Sequence, residues 1–96
     1  MAFTIRFSEE KNELLKATRG ICFDDILDLI EKGNLLDDKR HPSQNKKHLR
    51  IYVVKAGNYA FVIPYVINQE KKEIFLRTMY ASRKYTKQYI KRGDIL

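Results

Sequence analysis

The 96 residues include one cysteine, two prolines, four glycines and no tryptophan. With Cys22 alone, no disulfide can form within the chain and no Cys-x-x-Cys pair exists to hold zinc, which points to a reducing, cytoplasmic setting. No apolar run approaches the roughly 20 residues of a membrane-spanning helix, and Phe3 to Phe7 is too short and too polar for a signal-peptide core. Ala2 stands where a myristoyl-accepting glycine would have to be. Also missing are a glycine-rich phosphate loop, a Gly-x-Ser-x-Gly elbow and a His-Glu-x-x-His pair, so nucleotide hydrolases, serine hydrolases and zinc peptidases lack their signatures. The acids of "DDILDLIE", residues 24–31, lie beside an apolar stripe without the paired geometry of a two-metal nuclease, and are read as a solvated or partner-facing surface. No repeat, low-complexity tract or linker divides the chain, so residues 1–96 are read as a single domain.

What the chain does have is positive charge, unevenly placed. The net charge is +7. Residues 1–38 carry five Lys/Arg against nine Asp/Glu, a net of −4, while residues 39–96 carry fourteen against three, a net of +11. Concentrated positive charge attracts phosphate backbones by its field and by counterion release. Nucleic acid is therefore the first partner to consider, ahead of a merely soluble basic surface.

The order of elements follows from periodicity. "FTIRFS" alternates Phe3, Ile5 and Phe7 against Thr4 and Arg6, a short strand. Ser8 is an N-cap followed by Glu9 and Glu10, which predicts a helix over 9–18 that buries Leu14, Leu15 and Ala17 and stops near Gly20. Phe23, Ile26, Leu27 and Ile30 form one apolar stripe, a second helix over 23–32 with Gly33 as its stop. Leu35 and Leu36 open a strand, and residues 41–45 form a turn or loop. Strands follow over 49–55, 59–67 and 73–80, with Gly57-Asn58 at a hairpin turn. Pro64 conflicts with a central strand because it has no N–H for the ladder, so a bulge or strand end is expected there. Ser82 caps a last helix over 83–92, with Gly93 as its stop. The result is an α+β domain: a curved antiparallel sheet of three to five strands, two N-terminal helices and one C-terminal helix, with the helices on one face. Phe23, Ile26, Leu27, Ile30, Ile51, Val53, Phe61, Ile63, Leu76 and Tyr89 are the expected core, and Cys22 is expected half-buried at a helix start.

The last helix sorts itself at about 100° per residue: Arg83, Lys84, Lys87 and Lys91 share one arc, and Tyr85 and Tyr89 lie opposite. The tyrosines are expected to dock on the sheet and the cations to face outward. A solvated face is the competing reading, but no acid sits among these cations to pair with them. A second acid-free stretch, "KRHPSQNKKHLR" (residues 39–50), holds five Lys/Arg and two histidines. His41 and His48 are too irregularly placed for a metal pair and lack a nearby Cys or Glu. A lone loop histidine is usually plain surface. Among phosphate-binding cations, though, His41 becomes a candidate for proton transfer at a phosphodiester.

"FSEEKNELLKATRGICFDDILDLI", "DDKRH" and "ASRKYTKQYIKR", in that order, resemble successive landmarks of the BrnT-type toxins, small bacterial ribonucleases of type II toxin–antitoxin systems with a RelE-like fold. The matching residues are Glu10, Lys11 and Asn12; Gly20, Phe23, Asp24 and Asp25; Asp37, Arg40 and His41; and Ala81, Ser82, Arg83, Lys84 and Tyr89. Thr18-Arg19 and Thr78-Met79 depart from the family pattern, with Arg77 the cation nearest the second departure. The resemblance implies a metal-independent endoribonuclease with no cofactor, in which the ribose 2′-OH attacks the adjacent phosphate. It implies His41 as acid or base, and Arg40, Arg77, Arg83 and Lys84 as phosphate-holding catalytic residues. Lys46, Lys47, Arg50, Lys87, Lys91 and Arg92 are then read as contacts to the RNA backbone. A cognate antitoxin, typically a ribbon-helix-helix DNA-binding protein, is the implied partner in a hetero-oligomer. A non-catalytic basic nucleic-acid- or partner-binding module on the same fold is the alternative.

Overall fold

The computed structural model describes residues 3–46 and 48–90. The chain runs β1 (Thr4–Phe7), α1 (Glu9–Arg19), α2 (Phe23–Glu31), β2 (Leu35–Arg40), a short 3-10 turn (Gln44–Lys46), β3 (Arg50–Ala56), β4 (Tyr59–Asn68), β5 (Glu73–Leu76), β6 (Tyr80–Ser82) and α3 (Arg83–Tyr89). The expected α+β architecture is present. One six-stranded sheet has the order β1-β5-β4-β3-β2, and β6 also pairs with β4.

Local chemistry accounts for the helix ends. The Ser8 side chain accepts from the Lys11 N–H at 3.2 Å. Gly20, at φ 73°, closes α1 in the left-handed region where a Cβ would be strained. Cys22 stands at the N-cap of α2 and is buried in the core, not half-buried as expected, and its N–H is taken by the Asp25 carboxylate at 2.9 Å. Asn12 joins the two helices. It is buried, its Oδ1 accepts from the Phe23 N–H at 2.7 Å, and its Nδ2 donates to Asp24 at 3.2 Å. The β3–β4 hairpin turns on Gly57-Asn58 as expected, with Gly57 at φ 66°.

Three larger features also differ from the sequence expectation. The sheet is mixed and larger, because β1 pairs in parallel with β5. The helices occupy both faces. Val54, Ile63 and Tyr65 pack with Leu15, Phe23 and Ile26 beneath α1 and α2, whereas Ile51, Val53, Ala60 and Val62 pack with Tyr85 on the α3 side. Being central, β3 and β4 bury both faces, so strict alternation is lost. The third difference is Leu14, which is 60% exposed; Ala17 is exposed too, leaving Leu15 as the buried apolar residue of α1. Phe23, Ile26, Ile51, Val53, Ile63 and Leu76 are buried as expected. Each such side chain removed from water contributes about 1.5–3 kcal/mol. Leu27, Ile30, Phe61 and Tyr89 are half-buried. The last helix ends at Tyr89, short of the expected 92, because Ile90 turns extended and is buried against the sheet; residues 91–92 and the expected Gly93 stop fall outside the described residues.

Candidate functional site

The site begins with Pro64. In an antiparallel pair each residue sends its N–H and C=O to the same neighbour. The Pro64 carbonyl accepts from the Arg77 N–H at 2.8 Å, so the side on which proline has no N–H is the side facing Arg77. The neighbouring chain leaves the ladder there. Leu76 pairs with Tyr65 and Tyr80 with Val62, so Arg77, Thr78 and Met79 stand opposite only Ile63 and Pro64. β4 itself runs straight through the proline. The expected bulge thus lies in the partner strand, where it splits the predicted 73–80 strand into β5 and β6. Bulges of this kind re-aim side chains. The Met79 side chain is buried, and its carbonyl accepts from Arg19 Nη1 at 3.3 Å. The two positions that depart from the toxin pattern therefore contact each other, and Arg19 braces the bulge.

A cavity of about 240 Å³ opens at the bulge, lined by Lys11 of α1, His41 and Lys46 of the β2–β3 loop, Leu49, Pro64, Arg77, Thr78 and Tyr80. Three cations and a histidine, from three separate stretches of chain, meet there, and no carboxylate is among the described residues that line the cavity. The His41 N–H donates to the Leu49 carbonyl at 3.0 Å, which ties the loop to the start of β3. His41 Nδ1 accepts from the Ser43 N–H at 3.1 Å. A neutral ring so held carries its proton on Nε2. Burial, and then the charge of Lys46, push the His41 pKa down, so near neutral pH the ring offers a donor at Nε2. The lining is therefore rich in donors suited to an anion. Among the described residues, no three His, Cys, Asp or Glu side chains cluster closely enough to hold a metal ion.

The other sequence candidates lie elsewhere. Arg50 does not line the cavity. Its Nε donates to the Tyr65 hydroxyl at 3.0 Å and its Nη2 to the Asp38 carboxylate at 3.3 Å. Tyr65 also donates to Asp38; burial and that bond push the tyrosine pKa well up. Arg50 is thus engaged in a polar network on the α1–α2 side of β2. A matching network occupies the other side. Tyr89 donates to Asp37 and accepts from Lys39 Nζ at 3.1 Å. The Tyr89 hydrogen bond holds the Asp37 carboxyl below its ordinary pKa. Lys39 Nζ also sits 4.6 Å from the centre of the Tyr85 ring. The tyrosines of α3 do dock on the sheet, on an aspartate and a lysine that nothing in their own helix reveals. Arg40 is exposed at the end of β2, and Arg83, Lys84 and Lys87 are exposed on α3; none of them lines the cavity. Lys47, Lys91 and Arg92 lie outside the described residues.

The structure therefore brings together His41, Arg77 and Lys46 from the sequence candidates and adds Lys11 and Tyr80. Lys11 had been singled out only as a landmark beside Asn12. Its signal was the Glu-Lys-Asn helix start, where Asn12 fixes the register that presents Lys11 to the cavity. No helix among the described residues is long and apolar enough to cross a membrane. Compared with known proteins, the chain matches no family model, no curated protein and no solved structure.

Proposed function

We propose that this cavity binds the phosphodiester of an RNA chain and that the protein is a cytoplasmic, metal-independent endoribonuclease, the toxin of a type II toxin–antitoxin pair resembling the BrnT type. The observation that carries this reading is the convergence of Lys11, His41, Lys46 and Arg77 on one cavity, with no carboxylate among the described residues that line it. The reaction requires the ribose 2′-oxygen to bond to phosphorus while the bond to the 5′-oxygen breaks, leaving a 2′,3′-cyclic phosphate and a 5′-hydroxyl. One proton leaves the 2′-OH and one reaches the departing oxygen. Charge accumulates on the non-bridging oxygens in between, and Arg77, through its two-pronged guanidinium, with Lys46 and Lys11, is suited to hold it. His41 contributes the Nε2–H as a further donor. For it to take a proton, Nδ1 has to release the Ser43 N–H, so the loop turn at Pro42 must shift as substrate enters. The cognate antitoxin, a ribbon-helix-helix protein on this reading, would meet a cationic surface with acidic segments.

One observation favours the second reading, a non-catalytic nucleic-acid- or partner-binding module: the ring nitrogen of His41 not held by Ser43 is a donor, and no carboxylate is among the described residues that line the cavity to act as a base. Incubating the purified chain with single-stranded RNA in a chelator distinguishes the two. Cleavage that leaves cyclic phosphate ends and is blocked by a 2′-deoxy sugar supports the nuclease. Salt-dependent binding without cleavage supports the module. Induction of the chain alone in a bacterium is expected to arrest growth, and co-expression of its antitoxin to restore it. Normal growth at high soluble expression counts against the toxin.

A further inference from the structure

We infer that Tyr80 is a stacking platform for one unpaired base, so that the site takes single-stranded RNA with little preference for base identity. This inference rests on reading the cavity as an RNA-phosphate site. The cavity, at about 240 Å³, lies below the usual 300–1,000 Å³ range of small-molecule pockets. That suits a phosphate and its sugar, with the base placed at the rim.

Tyr80 lines the cavity. It is also 40% exposed, as Tyr59 and Phe75 of the same sheet are, but of these three only Tyr80 lines the cavity. Its backbone is fixed, because Tyr80 of β6 pairs with Val62 of β4 and Ser82, two residues on, caps α3. Burial, and then Tyr85, raise the hydroxyl pKa, so the ring stays neutral beside a phosphate. An aromatic ring anchored next to phosphate-binding cations is the combination that grips single strands: cations track the backbone and the ring stacks a base. A base inside an A-form duplex is already stacked on both sides and cannot reach one tyrosine. Every base has a π-face, and no carboxylate is among the described residues lining the cavity to accept from a base edge, so sequence preference is weak.

The test is fluorescence-anisotropy binding of a single-stranded oligonucleotide made uncleavable by 2′-deoxy sugars, using the full chain and the variants Tyr80→Phe and Tyr80→Leu. Tyr80→Leu keeps apolar bulk and lacks the aromatic face; circular dichroism establishes that both variants are folded. Tyr80→Leu should weaken binding about 5- to 150-fold, the range expected for loss of one base stack, and Tyr80→Phe should restore it. The same sequence as a duplex should bind more weakly than the single strand, and a strand of abasic sites should show no difference between tyrosine and leucine. Equal binding by the leucine variant, or a duplex bound as tightly as the single strand, overturns the inference. If binding depends on Tyr80 while RNA is never cleaved, the nuclease reading fails and this one stands. If cleavage persists without any dependence on Tyr80, the reverse holds.

Discussion

Replacing Asn12 by alanine should be among the most damaging single changes to the part of the protein that carries Lys11. Asn12 is 3% exposed, and its Oδ1 is the acceptor for the buried Phe23 N–H at the start of α2. Alanine leaves that N–H unsatisfied, which costs about 1–3 kcal/mol. Loss of the partly exposed bond to Asp24 adds about 0.5–1 kcal/mol. Against this, alanine is the better helix former by up to about 0.7 kcal/mol. The balance is about 2 kcal/mol. At 4–8 °C per kcal/mol for a domain of this size, the melting temperature should fall by about 8–16 °C. Thermal unfolding followed by circular dichroism reads it directly, with the exposed neighbour Glu13→Ala as a control expected within about 0.5 kcal/mol of the parent. A loss below about 0.5 kcal/mol for Asn12→Ala would show that water or a shifted backbone replaces the bond, and that the α1–α2 clamp described above is not what fixes the position of Lys11.

Other outcomes follow from the same structure. Arg19→Met removes the donor to the Met79 carbonyl, so RNA cleavage should drop although Arg19 does not line the cavity; unchanged cleavage would show that the bulge holds itself. Tyr89→Phe deletes the hydroxyl shared by Asp37 and Lys39 and should cost about 1 kcal/mol in denaturant unfolding; no loss would make the α3 docking purely apolar. His41 has its folded-state pKa lowered. Its neutral form is therefore favoured by folding, and the stability this gives is present above about pH 6.5 and declines as pH falls through and below that value. Melting temperatures between pH 5 and 8 should fall more steeply toward acid for the parent than for His41→Gln, and parallel curves would refute the assignment.

The sequence disclosed those parts of the fold whose causes are local. The stripe Phe23, Ile26, Leu27 and Ile30 is an i, i+3, i+4, i+7 pattern, and α2 formed on it. Gly57-Asn58 carries its turn preference within two residues. Pro64 announced a disturbance, but its missing N–H is felt across the ladder, so the bulge appeared at residues 77–79 and not in β4. The parallel pairing of β1 with β5 joins Thr4–Phe7 to Glu73–Leu76, segments far apart in the chain, and no local period encodes it. The side on which α3 packs was likewise hidden, because β3 and β4 are apolar on both faces. For the site, runs of positive charge marked the right half of the chain but could not show which charges are already engaged. Arg50 looked as available as Arg77, yet Asp38 and Tyr65 hold it. The acidic N-terminal half contributed Lys11, which a count of net charge passes over.

On the proposed reading the cavity at the bulge, rather than the cationic face of α3, is the centre of the function, and comparing RNA cleavage by Arg77→Ala and Arg83→Ala tests this most directly. Both arginines are exposed, so both variants should fold, and only Arg77 lines the cavity. Arg77→Ala should lower the cleavage rate about 10²- to 10³-fold, as expected for loss of a donor to transition-state charge, while Arg83→Ala should do no more than weaken RNA binding slightly and reduce its salt dependence by about one unit of slope or less. The opposite ranking, with Arg83→Ala inactive and Arg77→Ala unimpaired, would move the active site onto α3 and contradict the cavity assignment.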